Sequence, residues 1–150
     1  MSGVRIVGGD RLIRNLSRRG RAAERMGDYG LKLLADEIEE ESRARTPERT
    51  GKLVESHRVV QTKEGYGVMV GPVYNDGVEY SVMMHEGLGW DQDDMDLEPY
   101  ELGRKSRSKN AGKTAHYGRG VGWKFLERAS RSVMRDAVGR LGNIIGKALR

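Results

Sequence analysis

The sequence has no cysteine, a single phenylalanine and no long apolar run. The lack of cysteine excludes disulfide bonds, thiolate metal sites and cysteine nucleophiles. No apolar run reaches the roughly 18 residues that a membrane-spanning helix needs, and the N-terminus lacks the continuous apolar segment of a secretory signal. We therefore expect a protein with no membrane partner, made and used in a cytoplasm or in a particle assembled there.

Hydrophobic residues are few for a chain of this length. They make up 37% of the 150 residues, whereas charged residues make up 33% and glycine occurs 21 times. A chain of this size falls in the range of one domain, so we predict a single domain over residues 1–150 with a thin core. Small domains gain stability by burying apolar surface against other subunits. We therefore expect part of the apolar surface to be covered by other chains.

Charge is distributed unevenly along the chain. Residues 76–101 contain nine acidic and no basic side chains, whereas residues 102–150 contain 13 basic and two acidic ones. Opposite charges on two blocks of one subunit favour head-to-tail association, and contacts of that kind can close into rings. Solvated surface accounts for the two blocks equally well. The charge pattern alone does not choose between these interpretations.

Helical periodicity marks the first part of the sequence. Small or apolar residues recur every three or four positions, which predicts a helix over residues 10–45 after a flexible segment 1–9, with Asp10 as the N-cap. Glycines in this stripe indicate either a close helix approach or a break near Gly27–Gly30. The helix should end at Thr46-Pro47, because the residue before proline disfavours helical backbone angles.

The rest of the chain alternates between strand, loop and helix patterns. Residues 52–86 predict a small, mostly antiparallel sheet, within which Tyr80–Glu86 fits either a short strand or a helical turn. Residues 87–120 have no sustained period and predict an extended, mobile loop. An amphipathic stripe then predicts one C-terminal helix over residues 123–148. The predicted fold class is α+β: a long N-terminal helix, a small sheet, a long mobile loop and a C-terminal helix.

No motif indicates catalysis, a cofactor or a metal. His85-Glu86 lacks the second histidine of a zinc protease motif, and the acidic run 91–96 lacks the ligand and glycine spacing of an EF-hand. The glycine-rich segment 118–122 is not followed by the Gly-Lys-Ser/Thr of a phosphate-binding loop. Surface or packing roles account for the three histidines better than a shared metal site does. We expect no enzymatic activity and no cofactor.

Basic residues are concentrated in two places. Residues 104–113 include five of them, and six arginines crowd the start of the first predicted helix. Such clusters make salt-dependent, sequence-independent contacts with phosphates, and no zinc-finger, RNP or recognition-helix pattern accompanies them. A basic, non-sequence-specific nucleic-acid-binding accessory protein is therefore the alternative interpretation. The helix cluster that would face DNA consists of Arg11, Arg14, Arg18, Arg19, Arg21 and Arg25.

A series of short motifs follows the order of the predicted elements. Pro-x-x-Thr-Gly-x-Leu-x-x-Ser covers residues 47–56, an aromatic–small pair and a Glu-Gly pair lie within residues 80–87, and Phe-Leu-x-x-Ala covers residues 125–129. In order and spacing this chain resembles the tail-completion, or head–tail joining (neck), proteins of long-tailed bacteriophages, the gene product ten-like tail-component family. The residues that carry the resemblance are Pro47, Thr50, Gly51, Leu53, Ser56, Tyr80, Glu86, Gly87, Phe125, Leu126 and Ala129.

The resemblance implies a structural virion protein, assembled in the host bacterial cytoplasm, that forms a ring of six or twelve copies at the head–tail junction. Its implied partners are itself, the portal or adaptor, the stopper, the tail terminator or tail tube, and packaged DNA. The family often has a proline before the final Phe-Leu, where this chain has Lys124. On the charge pattern, we expect subunits to meet through acidic and basic loop residues. These are Asp91, Asp93, Asp94, Asp96, Arg104, Lys105 and Arg107.

Overall fold

The computed structural model describes residues 9–48, 50–75, 77–86, 106, 121–122 and 124–150. Helices dominate, with short antiparallel strands between them, so the predicted α+β class is confirmed. The predicted segments 1–9 and 87–120 lie outside the described residues except for Gly9 and Ser106. The elements are α1 (Gly9–Arg45), α2 (Lys52–Glu55), β1 (Arg58–Thr62), β2 (Gly65–Met69), β3 (Tyr74–Asn75), β4 (Val78–Glu79), α3 (Ser81–Glu86), α4 (Phe125–Met134) and α5 (Ala137–Ala148).

Helix α1 confirms the predicted N-terminal helix and runs without a break. It ends at Arg45, directly before Thr46-Pro47, as the proline predicts. The predicted N-cap is wrong: the helix begins at Gly9, so Asp10 lies inside the first turn. A carboxylate there still interacts favourably with the positive end of the helix dipole.

The glycines of α1 mark a close helix approach rather than a break. A Cβ atom added at Gly30 would lie 2.6 Å from Leu141 Cδ2 and 3.4 Å from Ile144 Cδ1, both on α5. One added at Gly27 would lie 3.7 Å from Ile145 Cδ1. These two glycines therefore let α5 pack against the backbone of α1.

The predicted sheet is two separate antiparallel ladders. Strand β1 pairs with β2 from Arg58–Met69 to Thr62–Gly65, and β3 pairs with β4. Gly71-Pro72 separates the two ladders, because proline has no N–H to continue one. The first hairpin turns at Lys63-Glu64. Of the two alternatives for Tyr80–Glu86, the helical one is observed, as α3.

The C-terminal helix is two helices, not one. Residues Arg135-Asp136 form a turn between α4 and α5. The buried residues Phe125, Ala129, Val133 and Ala137 are spaced by four, and such a stripe drifts about 40° per step around a regular helix. The turn redirects the stripe, so that both helices bury their apolar faces. The predicted start at residue 123 is also too early, because α4 begins at Phe125.

Among the described residues, the core consists of two small clusters. One lies between α1, α4 and α5 and contains Leu34, Val133, Ala137, Ile38 and Leu141. The other joins α2, α3, α4 and the segment between the two ladders. It contains Leu53, Val73 and Phe125, with Val70, Tyr80, Met84 and Leu126 packed around it. None of the helices in the described ranges combines the length and the apolar character needed to cross a membrane.

Candidate assembly site

Four of the residues that carry the family resemblance, Leu53, Tyr80, Phe125 and Leu126, lie in the second core cluster. Phe125 is completely buried and contacts Leu53, which is also buried, while Tyr80 and Leu126 pack against them. Ala129 is buried one turn after Phe125 on the same face of α4. These motif residues therefore hold α2 and the start of α3 against α4.

The first motif shapes the path from α1 to β1. Pro47 is buried, Thr50 is exposed, and Gly51 has φ +91°, a left-handed conformation that glycine adopts more readily than other residues. Ser56 Oγ donates a 2.7 Å hydrogen bond to the carbonyl of Leu53 and accepts a 3.1 Å bond from the Gly71 N–H. The serine thus fastens α2 to the segment after β2.

Glu86 and Lys124 connect α3 to α4. The Lys124 ammonium forms an ion pair with Glu86, and its hydrogen bond holds the pKa of that carboxyl below its usual value. The Lys124 N–H also donates a 2.6 Å bond to the His85 carbonyl. Lys124 has φ +51°, which proline cannot adopt. A proline at this position would therefore not fit the backbone of this chain, while Gly87 lies outside the described residues.

A buried polar network centred on His57, which the sequence motifs did not predict, joins α1 to α2. His57 Nδ1 lies 3.0 Å from the Leu53 carbonyl and 3.1 Å from that of Val54, so this nitrogen carries the hydrogen. Nε2 then accepts from Ser42 Oγ at 2.9 Å, while Thr46 Oγ1 donates to the Ser42 carbonyl at 2.7 Å. Ser42 occupies a stripe position of α1 and Thr46 follows it by four residues, directly after the helix; buried polar residues there are the signal that predicts a buried partner.

Two histidine rings flank the Phe125 ring. The His57 centroid lies 5.7 Å away and the His85 centroid 4.8 Å away, the latter in an edge-on arrangement. Burial lowers the pKa of His57, although its hydrogen bonds to the Leu53 and Val54 carbonyls oppose the shift. Burial also lowers the pKa of His85, opposed by the charge of Glu86. Both histidines therefore favour the neutral form.

The predicted loop interface is not described by the structure, apart from one neighbouring residue. Ser106 is buried, accepts a 2.7 Å hydrogen bond from the Glu48 N–H and donates a 3.2 Å bond to the Glu48 carbonyl. These bonds hold Ser106, which belongs to the segment 87–120, beside Glu48, which lies shortly after the end of α1. The predicted interface residues, which lie outside the described residues, are Asp91, Asp93, Asp94, Asp96, Arg104, Lys105 and Arg107.

The first part of α1 projects from the folded body. Residues 10–21, which we call the arm, are all exposed. Its apolar residues Leu12, Ile13 and Leu16, which we call the arm stripe, are exposed by 60%, 63% and 60%. The arm stripe continues, in steps of three and four residues, the stripe that α4 and α5 cover further along α1. The arm stripe thus has the spacing of a helix–helix interface but is exposed to solvent in the single chain.

The predicted DNA-facing arginines lie on the opposite side of α1 from the arm stripe. Five of the six follow a 3-4-3-4 spacing and share one helix face, whereas Arg19 lies to one side. All six are exposed, and no hydrogen bond or ion pair joins them to the described part of the chain. We call the set of five the arginine row: Arg11, Arg14, Arg18, Arg21 and Arg25.

The site has the chemistry of a binding surface. Among the described residues, no group of three His, Asp or Glu side chains is placed to hold a metal ion. Ser42 and His57 are hydrogen-bonded but are both buried, so they meet no substrate from solvent. The α1 arm instead offers an apolar side and a cationic side. Comparisons with protein-family models, with curated proteins and with solved structures found no match.

Proposed function

We propose that this chain is a structural protein of a bacteriophage particle, which oligomerises into a ring joining the capsid portal complex to the tail. The observation that carries the proposal is the bare arm stripe. Three large apolar residues on one side of an exposed helix mark a surface that another protein covers. The family resemblance supplies the context, a neck ring of six or twelve copies at the head–tail junction.

The two small core clusters support a role in assembly. A thin core limits the stability that a subunit reaches alone, and burial of more apolar area against neighbours adds to it. The arm stripe is the exposed surface best suited to this, because it already has the spacing of the α1–α5 contact. In this proposal the protein assembles in the host bacterial cytoplasm and contacts the portal or adaptor on one side and tail components on the other.

The arm stripe gives a direct test. The variant Leu12→Gln/Ile13→Gln/Leu16→Gln removes its apolar character, and Asn15→Ala/Ser17→Ala is the matched control on other sides of the same helix. We expect the control to form rings by sedimentation velocity and electron microscopy and to support joined heads and tails in a phage that lacks its own copy. The triple variant should stay monomeric and leave heads and tails separate. Rings formed equally well by the triple variant would refute the proposal.

The arginine row favours a second candidate, a nucleic-acid-binding accessory protein. Five cations on one face, without partners in the described part of the chain, are suited to phosphate contacts that weaken steeply as salt rises. Salt-dependent retention of duplex DNA by the monomer, without sequence preference, would support this candidate. In a neck ring the same row would meet packaged DNA only if it lined the channel.

A further inference from the structure

The face of α1 that carries the arginine row continues into an acidic row. From Arg25, steps of three and four residues lead through Tyr29 and Leu33 to Asp36 and Glu40. Such steps keep residues on one face of a helix. We call Asp36, Glu39 and Glu40 the acidic row. The first half of this outer face of α1 is thus basic, and the second half has the acidic row together with Lys32 and Arg43, which pair with Asp36 and Glu39.

This outer face is open in the second half of α1 as well. Tyr29 is 53% exposed, Leu33 37%, and the side chain of Asp36 44%. Helices α4 and α5 cover a different side of α1. The β1–β2 hairpin lies next to the outer face, where Tyr66 Oη donates a 3.2 Å hydrogen bond to Asp28. Two exposed apolar residues therefore lie between the basic and acidic rows.

We propose that the outer faces of α1 in two copies of this chain pair antiparallel, with the arginine row of each against the acidic row of the other. A two-fold axis level with Gly27 brings Arg18 opposite Asp36 and Arg14 opposite Glu40, because the members of each pair lie equally far from Gly27 in sequence. The inference rests on the self-association in the proposed function and names its surface and partner.

The middle of the pair has complementary contacts too. The same axis brings Arg25 opposite the exposed ring of Tyr29, and guanidinium groups favour aromatic faces. Arg21 lies opposite Leu33, where its aliphatic stem covers apolar surface while its head stays in water. From Arg14 to Glu40 the overlap is about 40 Å of helix. Each contact forms twice by symmetry.

A second copy fits this face better than nucleic acid does. Duplex DNA is uniformly negative along its axis, so a straight helix lying along it would place Asp36 and Glu40 against phosphates. The partner must instead change sign halfway along α1, and a reversed copy of α1 has that property. The internal pairs Lys32–Asp36 and Arg43–Glu39, at 2.6 and 2.8 Å, join residues four positions apart. Lys32–Asp36 is exposed and rearranges at little cost, whereas Glu39 is half-buried and is not required by the pairing.

Pairing through the outer face leaves the arm stripe free. The two surfaces lie on opposite sides of the arm, so the stripe remains available for the head-to-tail contact that closes a ring. A twelve-copy assembly would then contain six α1 pairs.

Charge reversal with mixing tests the inference on the full chain. We expect Arg14→Glu/Arg18→Glu to weaken pairing about 100-fold in sedimentation equilibrium at about 0.1 M salt, because four attractive pairs become repulsive. Asp36→Lys/Glu40→Lys should weaken it similarly. An equimolar mixture of the two variants should pair again, since each then meets a complementary partner. Circular dichroism checks that both variants keep their helix content.

Neighbouring arginines supply the matched control. Arg18→Glu and Arg19→Glu change the charge equally, but only Arg18 belongs to the arginine row, so Arg18→Glu should weaken pairing more. Failure of the mixture to restore pairing would overturn the inference. So would loss of DNA retention in Arg14→Glu/Arg18→Glu with unchanged pairing, which would assign the row to nucleic acid. If the pairing is confirmed but the protein is absent from phage particles, the proposed function is refuted while the pairing inference stands.

Discussion

The two ends of α1 follow one sequence pattern but have different surroundings. Between Gly27 and Ser42 the stripe is covered, and Leu34 in its centre is 5% exposed. In the arm the same stripe continues, yet Leu16 is 60% exposed. Periodicity therefore predicts where a helix presents its apolar side, but not whether the same chain covers it. The bare end is where the proposed assembly adds a further protein.

The energetics of the two ends should differ accordingly. An isolated helix as short as the arm is marginal in water, so the arm owes its helical state to the packed half of α1. Side chains in the packed half remove apolar surface from water during folding, at roughly 25 cal/mol per Å². Those of the arm remove little until a partner binds. Substitutions in the two regions should therefore separate folding from assembly.

The largest effect on folding is expected at Phe125. Phe125→Ala removes a completely buried ring that lies against Leu53, His57 and His85, so we expect the free energy of unfolding to fall by about 3–5 kcal/mol. Urea unfolding monitored by circular dichroism measures this loss. A loss below about 1 kcal/mol would mean that the second core cluster contributes little to the fold.

Leu16→Ala in the arm is the counterpart of that substitution. It removes a large apolar side chain that is already in water, so unfolding of the monomer should change by less than about 0.5 kcal/mol. Its effect should instead be on self-association. A large loss of monomer stability would show that the arm packs within its own chain, and the contrast between the two ends of α1 would disappear.

Much of this fold is predictable because its signals are local. The stripe and Thr46-Pro47 predict α1 and its end, and the spacing around Leu53 and Phe125 indicates the packing residues. The turn at Arg135-Asp136 has no such signal, since neither proline nor glycine breaks the helix there. It depends on how α5 meets Gly30 of α1, and that contact joins residues far apart in sequence.

The candidate site is less predictable than the fold for the same reason. The arginines are visible in the sequence, but their lack of partners among the described residues depends on which segments pack beside them. The network of Ser42, Thr46 and His57 needs two segments to meet, and the bonds of Ser106 to Glu48 join residues 58 positions apart. The charges and the apolar stripe can be read from the sequence, whereas which of them face solvent is seen only in the folded structure.

Two glycines of α1 give the next largest effect. Gly30→Val places a side chain where even a Cβ would lie 2.6 Å from Leu141, so we expect a loss of about 2 kcal/mol from overpacking. Gly20→Val is the matched control, because a Cβ there meets nothing within 4 Å, and it should change stability by no more than about 0.5 kcal/mol. Thermal unfolding compares the two. Equal losses would mean that α5 moves freely relative to α1.

The smallest effect should be a dependence of stability on mild acid, which comes from the core rather than from the arm. Burial lowers the folded-state pKa of His57 and of His85, and His85 Nδ1 is buried without a hydrogen-bond partner among the described residues, so a proton there finds no acceptor. The stability that the two neutral histidines contribute is fully present above their unfolded-state pKa of 6.5. It is lost as the pH falls from there through their lowered folded-state pKa values. The Tm should therefore fall by a few degrees between about pH 7.5 and 5.5.

Titration of Glu86 does not contribute to this fall in Tm, because the pKa of Glu86 lies below the usual 4.5 and therefore below the pH range measured. His57→Gln/His85→Gln should flatten the profile, and an unchanged slope in that variant would place the acid sensitivity outside the Phe125 cluster.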